Sequence, residues 1–126
     1  MERGYIAITT TIILSILMLI LATTIGSINL LARFGVVDFY NKRTSFYVAR
    51  SCLEYGRLKL SLDTAYAGSE SRLIGGYSCS LQAVETFGQN KIIKARAQIN
   101  GSTTNLKLTV DTNTLSTVSL EEAVSF

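Results

Sequence analysis

From Tyr5 to Ala32 the chain carries no charged side chain, and Arg33 closes the run. About 20 predominantly apolar residues suffice to cross a hydrocarbon core. The segment is therefore a candidate membrane-spanning helix. The chain contains no Pro, so no backbone donor is lost and the helix can continue past the apolar run. Gly26 is its one weak point, since a glycine costs a helix up to about 1 kcal/mol relative to alanine in water. A cleaved secretory signal has a shorter apolar region of roughly 7–15 residues followed by small residues. Ala22-Thr23-Thr24 supplies such a site only loosely, and the run continues beyond it. A single-pass anchor fits the hydropathy equally well. Lys and Arg near the ends of a span bias its orientation. Arg3 stands alone on the amino side, with Arg33, Lys42 and Arg43 following, a distribution that by itself favours a cytoplasmic carboxyl side, opposite to that of an exported domain. So short a leader with few charges gives the rule little contrast.

Beyond Arg33 the helical pattern persists. Phe46, Ala49, Leu53, Gly56 and Leu60 recur at three and four residues with Cys52 beside them, while Lys42, Arg43, Arg50, Glu54, Arg57 and Lys59 fall largely elsewhere. This spacing predicts an amphipathic helix with one apolar stripe. It ends near Asp63, where the periodicity stops.

The remainder alternates with period two. Tyr77, Cys79, Leu81 and Ala83 predict a half-buried strand, and Ile93, Ala95, Ala97 and Ile99 a second from Lys91 to Ile99. Asn100-Gly101 is a hairpin signal, because both central positions of a type I′ turn need positive φ. Leu106, Leu108 and Val110 mark a third strand, and Leu115, Val118 and Leu120 a last one. The expected fold is α+β: a long N-terminal helix, transmembrane in its first half and amphipathic in its second, packed on a small antiparallel sheet of about four strands. The segments are a leader at 1–4, an apolar helix at 5–32, its amphipathic continuation at 33–63 and the sheet domain at 64–126. Cys52 on the helix and Cys79 on the first strand are candidates for a staple of this thin core. An exported domain would meet the oxidising conditions that a bridge requires. Two buried free thiols are the alternative.

The composition narrows the chemistry. The chain has no His, which removes imidazole metal sites and His-based acid–base catalysis. Its Ser and Thr residues lack such an activator, and no Gly-Lys-Ser/Thr phosphate loop is present. Gly75-Gly76 precedes a strand and reads as a bend. Asn100-Gly101-Ser102 is a formal glycosylation sequon, but a tight turn explains it without a glycan. The net charge of +3 is spread along the chain, so a solvated surface is expected in preference to a face for phosphate or acidic glycans. Glu121-Glu122 is expected in a solvated tail. No enzyme activity, no cofactor, no metal and no specific nucleic acid are expected.

Two stretches carry a resemblance. Arg3-Gly4-Tyr5 leading into the apolar segment resembles the start of type IV prepilins. Ser45-Phe46-Tyr47-Val48-Ala49-Arg50-Ser51-Cys52-Leu53-Glu54-Tyr55-Gly56 is similar to the aromatic, alanine-rich helix segment that follows the anchor in PilX-like minor pilins. Both lie within the first half of the chain. The resemblance implies cleavage by prepilin peptidase between Gly4 and Tyr5 and N-methylation of Tyr5. It also implies transfer of the helix from the cytoplasmic membrane into the core of a surface filament, with other pilin subunits and the pilus assembly machinery as partners. Thr9, Thr10, Thr11 and Ser15 would then be polar points of contact between helices, and Gly26 a place where the helix loosens. Most pilins carry glutamate at the fifth mature position, here Thr9, and this departure favours a minor or initiating subunit. Glu2 is unusual for such a leader. An uncleaved single-pass module with a binding or scaffold role is the alternative.

Overall fold

The computed structural model describes residues 2–126, with side chains from Gly4 onward. Of the expected leader, Met1 and the side chains of Glu2 and Arg3 lie outside the described residues. Helix α1 runs from Glu2 to Leu62. Six strands follow: β1 (Ser71–Ile74), β2 (Tyr77–Leu81), β3 (Glu85–Phe87), β4 (Asn90–Ile99), β5 (Ser102–Asp111) and β6 (Thr117–Ala123). The chain divides into two compact units, residues 1–37 and 38–126. Among its described residues the first is helix alone, and the second holds the remainder of α1 with the whole sheet.

Within the second unit the helix is α-helical without interruption to Leu62. Asp63 ends it by accepting the Ala65 N–H on its carboxylate at 2.8 Å, and Lys59 in the last turn suits the negative end of the helix dipole. All strand pairs are antiparallel, in the order β1-β2-β4-β5-β6. The long β4 pairs with β5 along one edge and shares the other between β3 at Asn90–Ile92 and β2 at Ala95–Ala97. The sheet thus has six strands where the alternation predicts about four. β1 and β3 are four and three residues long and largely exposed, so burial imposes no alternation on them. Gly75-Gly76 is the turn of the β1–β2 hairpin. Asn100 and Gly101 join β4 to β5 with φ of 47° and 86°, the positive values of a type I′ turn.

The last strand differs from expectation in three respects. Leu115 lies in the turn before it, with φ of 52°. Val118 is the extra residue where β6 shifts register between Thr109 and Val110, and it is exposed. A bulge of this kind twists an edge strand away from further pairing. Glu121 and Glu122 belong to this strand, not to a tail. Glu121 approaches Lys107 at 3.9 Å, and Glu122 pairs with Lys42 on the helix.

The core lies between the helix and one sheet face. Ala49, Cys52, Leu53 and Leu60 meet Leu81, Ile93, Ala95, Ala97, Ile99, Leu106, Leu108 and Val110, all buried. Burying a Leu, Ile or Val contributes roughly 1.5–3 kcal/mol, while the alanines contribute less and let the helix lie close. The seam changes character toward residue 41. Ser45 and Thr104 are fully buried with hydroxyls 2.6 Å apart. Ser45 donates to the Lys42 carbonyl at 2.8 Å, so Thr104 supplies the proton between them. Asn100 Nδ2 donates to Asn41 Oδ1 at 3.3 Å, and Lys42 Nζ donates to the Thr103 carbonyl at 2.9 Å.

Gly56 faces the sheet closely. A Cβ there would lie 3.1 Å from Ile93 Cγ2 and 3.4 Å from a Leu81 methyl, both ends of side chains with some freedom to turn. Gly56→Ala is expected to be nearly neutral, since the helix-propensity gain of up to about 1 kcal/mol opposes the crowding. Gly56→Leu overpacks the seam and is expected to destabilise by about 1–3 kcal/mol. Chemical unfolding of the two variants checks both values.

The β5–β6 turn is organised by Asp111, whose Oδ1 accepts from the N–H groups of Asn113 and Thr114, each at 2.9 Å, and from the Thr114 hydroxyl at 3.2 Å. The Thr114 N–H first, then that of Asn113, holds the carboxyl below its ordinary value of 3.8. A depressed folded-state pKa stabilises above the unfolded value, and the contribution is lost as pH falls through the folded one. Wild type is therefore expected to lose more stability below about pH 4 than Asp111→Ala does. Urea midpoints for both proteins across that range provide the check.

Candidate functional site

The surface most in need of explanation is the helix of the first unit. One helix among the described residues is long and apolar enough to cross a membrane. Its most apolar window has a mean hydropathy of 2.5, with none of it buried. From Tyr5 to Val37, Ile, Leu, Val and Phe side chains stand exposed on all sides. A helix apolar all round is stable only within a large protein, an assembly or a membrane.

Each expected site residue in this segment has a definite environment. Gly4 and Tyr5 are helical and exposed, and a Cβ at Gly4 would meet nothing within 4 Å. Thr9, Thr10, Thr11 and Ser15 do not offer free hydroxyl donors. Each bonds back to a carbonyl three or four residues earlier at 2.8–3.0 Å. Thr23, Thr24 and Ser27 do the same, and Asn29 Nδ2 bonds the Ile25 carbonyl at 3.0 Å. The helix passes through Gly26 without a break, and a Cβ there would also meet nothing.

These positions do not form one set. At 3.6 residues per turn, Thr11, Ser15 and Gly26 share a strip within about 60° of one another, whereas Thr9 and Thr10 point elsewhere. Ala22 falls in the same strip, so Thr11/Ser15 and Ala22/Gly26 are two pairs of small residues spaced by four. Such spacing lets helix backbones approach closely in lipid. The part of Ala22 was missed in the sequence, although its four-residue offset from Gly26 is the signal that identifies it.

In the second unit, Cys52 and Cys79 form a disulfide with a Cα–Cα distance of 6.4 Å, and both are buried. It ties the helix to β2. The sequence reasoning also left unremarked that Asn41 and Ser45 face the sheet. Short polar residues next to Lys42-Arg43 suggest solvent, and only the opposing Thr104 and Asn100 reveal the buried role. Among the described residues no group of three or more His, Cys, Asp or Glu could hold a metal ion. No protein-family model, curated protein or solved structure matches the chain.

Proposed function

We propose that this chain is a structural subunit, of the minor or initiating kind, in a type IV pilus-like surface filament. It acts by assembly and not by catalysis. The cytoplasmic membrane holds it as a single-pass protein until prepilin peptidase cuts between Gly4 and Tyr5. Tyr5 is then N-methylated, and the apolar helix leaves the bilayer to pack among the helices of other pilin subunits.

One observation carries the reading. At 1.5 Å per residue the uncharged, exposed helix from Tyr5 to Ala32 extends about 42 Å, against about 30 Å of hydrocarbon. Matching the two by tilt alone takes more than about 40°, beyond the usual range. A plain anchor must place the excess in the headgroup layers, where the bilayer adds about 10–15 Å, whereas a helix buried among others in a filament core uses its whole length in apolar contact. Thr9 at the fifth mature position supports a minor or initiating place, since an acid there would partner a neighbouring buried amino group.

The test is the amino-terminal residue and intact mass of the protein from native cells. A chain starting at methylated Tyr5 is expected. A chain that keeps Met1 in the membrane overturns the proposal and leaves an uncleaved, membrane-anchored module.

A further inference from the structure

One edge of the sheet is β1, which pairs only with β2. Ile74 and Tyr77 flank the turn between them, and the Leu81 N–H donates to the Glu70 carbonyl at 2.7 Å. Bonded and non-bonded pairs alternate along an antiparallel ladder. Arg72 and Cys79 are therefore a bonded pair, and the main-chain N–H and C=O groups of Ser71 and Leu73 point away from β2. Among the described residues nothing bonds these four groups. A row of free edge groups is a template for a further strand. The opposite edge is blunted, because β6 carries a register shift together with Glu121 and Glu122. β1 carries no bulge, proline or acid.

The side chains beside this edge define what fits it. Arg72 and Ile74 lie on the same face as Cys79, toward the helix. Ile74 borders a groove of about 260 Å³ that Tyr47, Val48, Ser51 and Tyr77 also line. The two tyrosines are 51% and 40% exposed. The groove is smaller than the roughly 300–1,000 Å³ of a small-molecule pocket, and it suits a side chain. Arg72 lies over the Tyr55 ring, 4.2 Å from its centroid, and joins no ion pair among the described residues. An apolar position and a cationic position thus stand two residues apart along one unpaired edge.

We propose that β1 takes up an extended segment of another polypeptide as an added antiparallel strand. The segment places an apolar residue opposite Ile74 and an acidic residue opposite Arg72. Main-chain bonds to Ser71 and Leu73 supply affinity, and the alternate side chains supply specificity. Antiparallel pairing is the more stable per residue, so the apolar residue precedes the acid by two. The inference concerns the 38–126 unit alone and holds whether or not the chain enters a filament.

The probe is the peptide acetyl-Ser-Thr-Val-Thr-Glu-Thr-Ser-amide, added to the full chain in detergent and followed by amide hydrogen exchange. At about 1 mM peptide, exchange of the Ser71 and Leu73 N–H groups is expected to slow by about tenfold. N-methylation of the two threonines that flank Glu removes the donors facing β1 and is expected to abolish the protection. Replacing the peptide's Glu by Lys is expected to weaken binding by up to about fivefold. Leu73→Pro removes an outward donor that the β1–β2 ladder does not use. That variant is expected to keep the Cys52–Cys79 bond and lose the protection at Ser71. No slowing on wild type overturns the proposal, as does equal protection from the N-methylated peptide. Tighter binding of the reversed order Glu-Thr-Val overturns the antiparallel register. Protection that rises with protein concentration alone makes the occupant a second copy and overturns the acidic segment.

Discussion

Replacing Cys52 and Cys79 together by alanine is expected to lower the stability of the 38–126 unit by about 3–4 kcal/mol, the chain-entropy value for closing a loop of this size. The bridge spans a sequence separation of 27. A domain of this kind has only about 5–15 kcal/mol in total, so the loss is a large fraction. Its location makes it more serious. β2 pairs with β4 at only three positions, Cys79, Ser80 and Leu81, and β1 is attached to the sheet through β2. Without the bridge, the β1–β2 hairpin keeps a short ladder and the packing of Leu81. Pulse proteolysis in urea, with the full chain in detergent, measures the change. Reductant on wild type should reproduce it, with the first hydrogen-exchange losses at Ser78–Leu81. An unchanged midpoint would show that the helix–sheet core is sufficient alone.

Gly4→Leu is expected to abolish filaments and leave the second unit intact. The fold gives this substitution nothing to disturb: a Cβ at Gly4 meets no atom within 4 Å, and leucine is the better helix former. Under the proposed function, the loss is expected at the processing step. The variant is expected to keep Met1, remain in the membrane fraction and retain its disulfide. Sheared filaments from cells carrying only Gly4→Leu would separate assembly from cleavage at this position and refute the processing step.

The parts of the fold legible in the sequence were those where one face is buried over many residues. Ile93 to Ile99 and Leu106 to Val110 alternate because their inner neighbours are helix, and Phe46 to Leu60 repeat because their outer neighbours are water. Asn100-Gly101 was readable because few residue pairs accept two positive φ values. β1 and β3 were not readable, since their exposed residues satisfy no periodic constraint. Glu121 and Glu122 looked like a tail because acids rarely mark a strand, and their partners Lys107 and Lys42 are remote in sequence. For the apolar helix, composition revealed the run but not the state of its hydroxyls, which depends on rotamers that the letters Thr and Ser leave open.

Those inward-turned hydroxyls bear on the energetics of moving the helix between surroundings. A bare hydroxyl transferred into hydrocarbon costs several kcal/mol, about 4–8 on a scale without hydrogen-bonding partners. Here Thr9, Thr10, Thr11, Ser15, Thr23, Thr24 and Ser27 bond to carbonyls of their own helix, so no partner has to be found or surrendered. Lipid tails and neighbouring apolar side chains then act as nearly equivalent solvents for the segment. For these hydroxyls, exchanging one apolar surrounding for the other carries no desolvation cost. Under the proposed function, such a helix would leave the bilayer with these hydroxyl bonds intact.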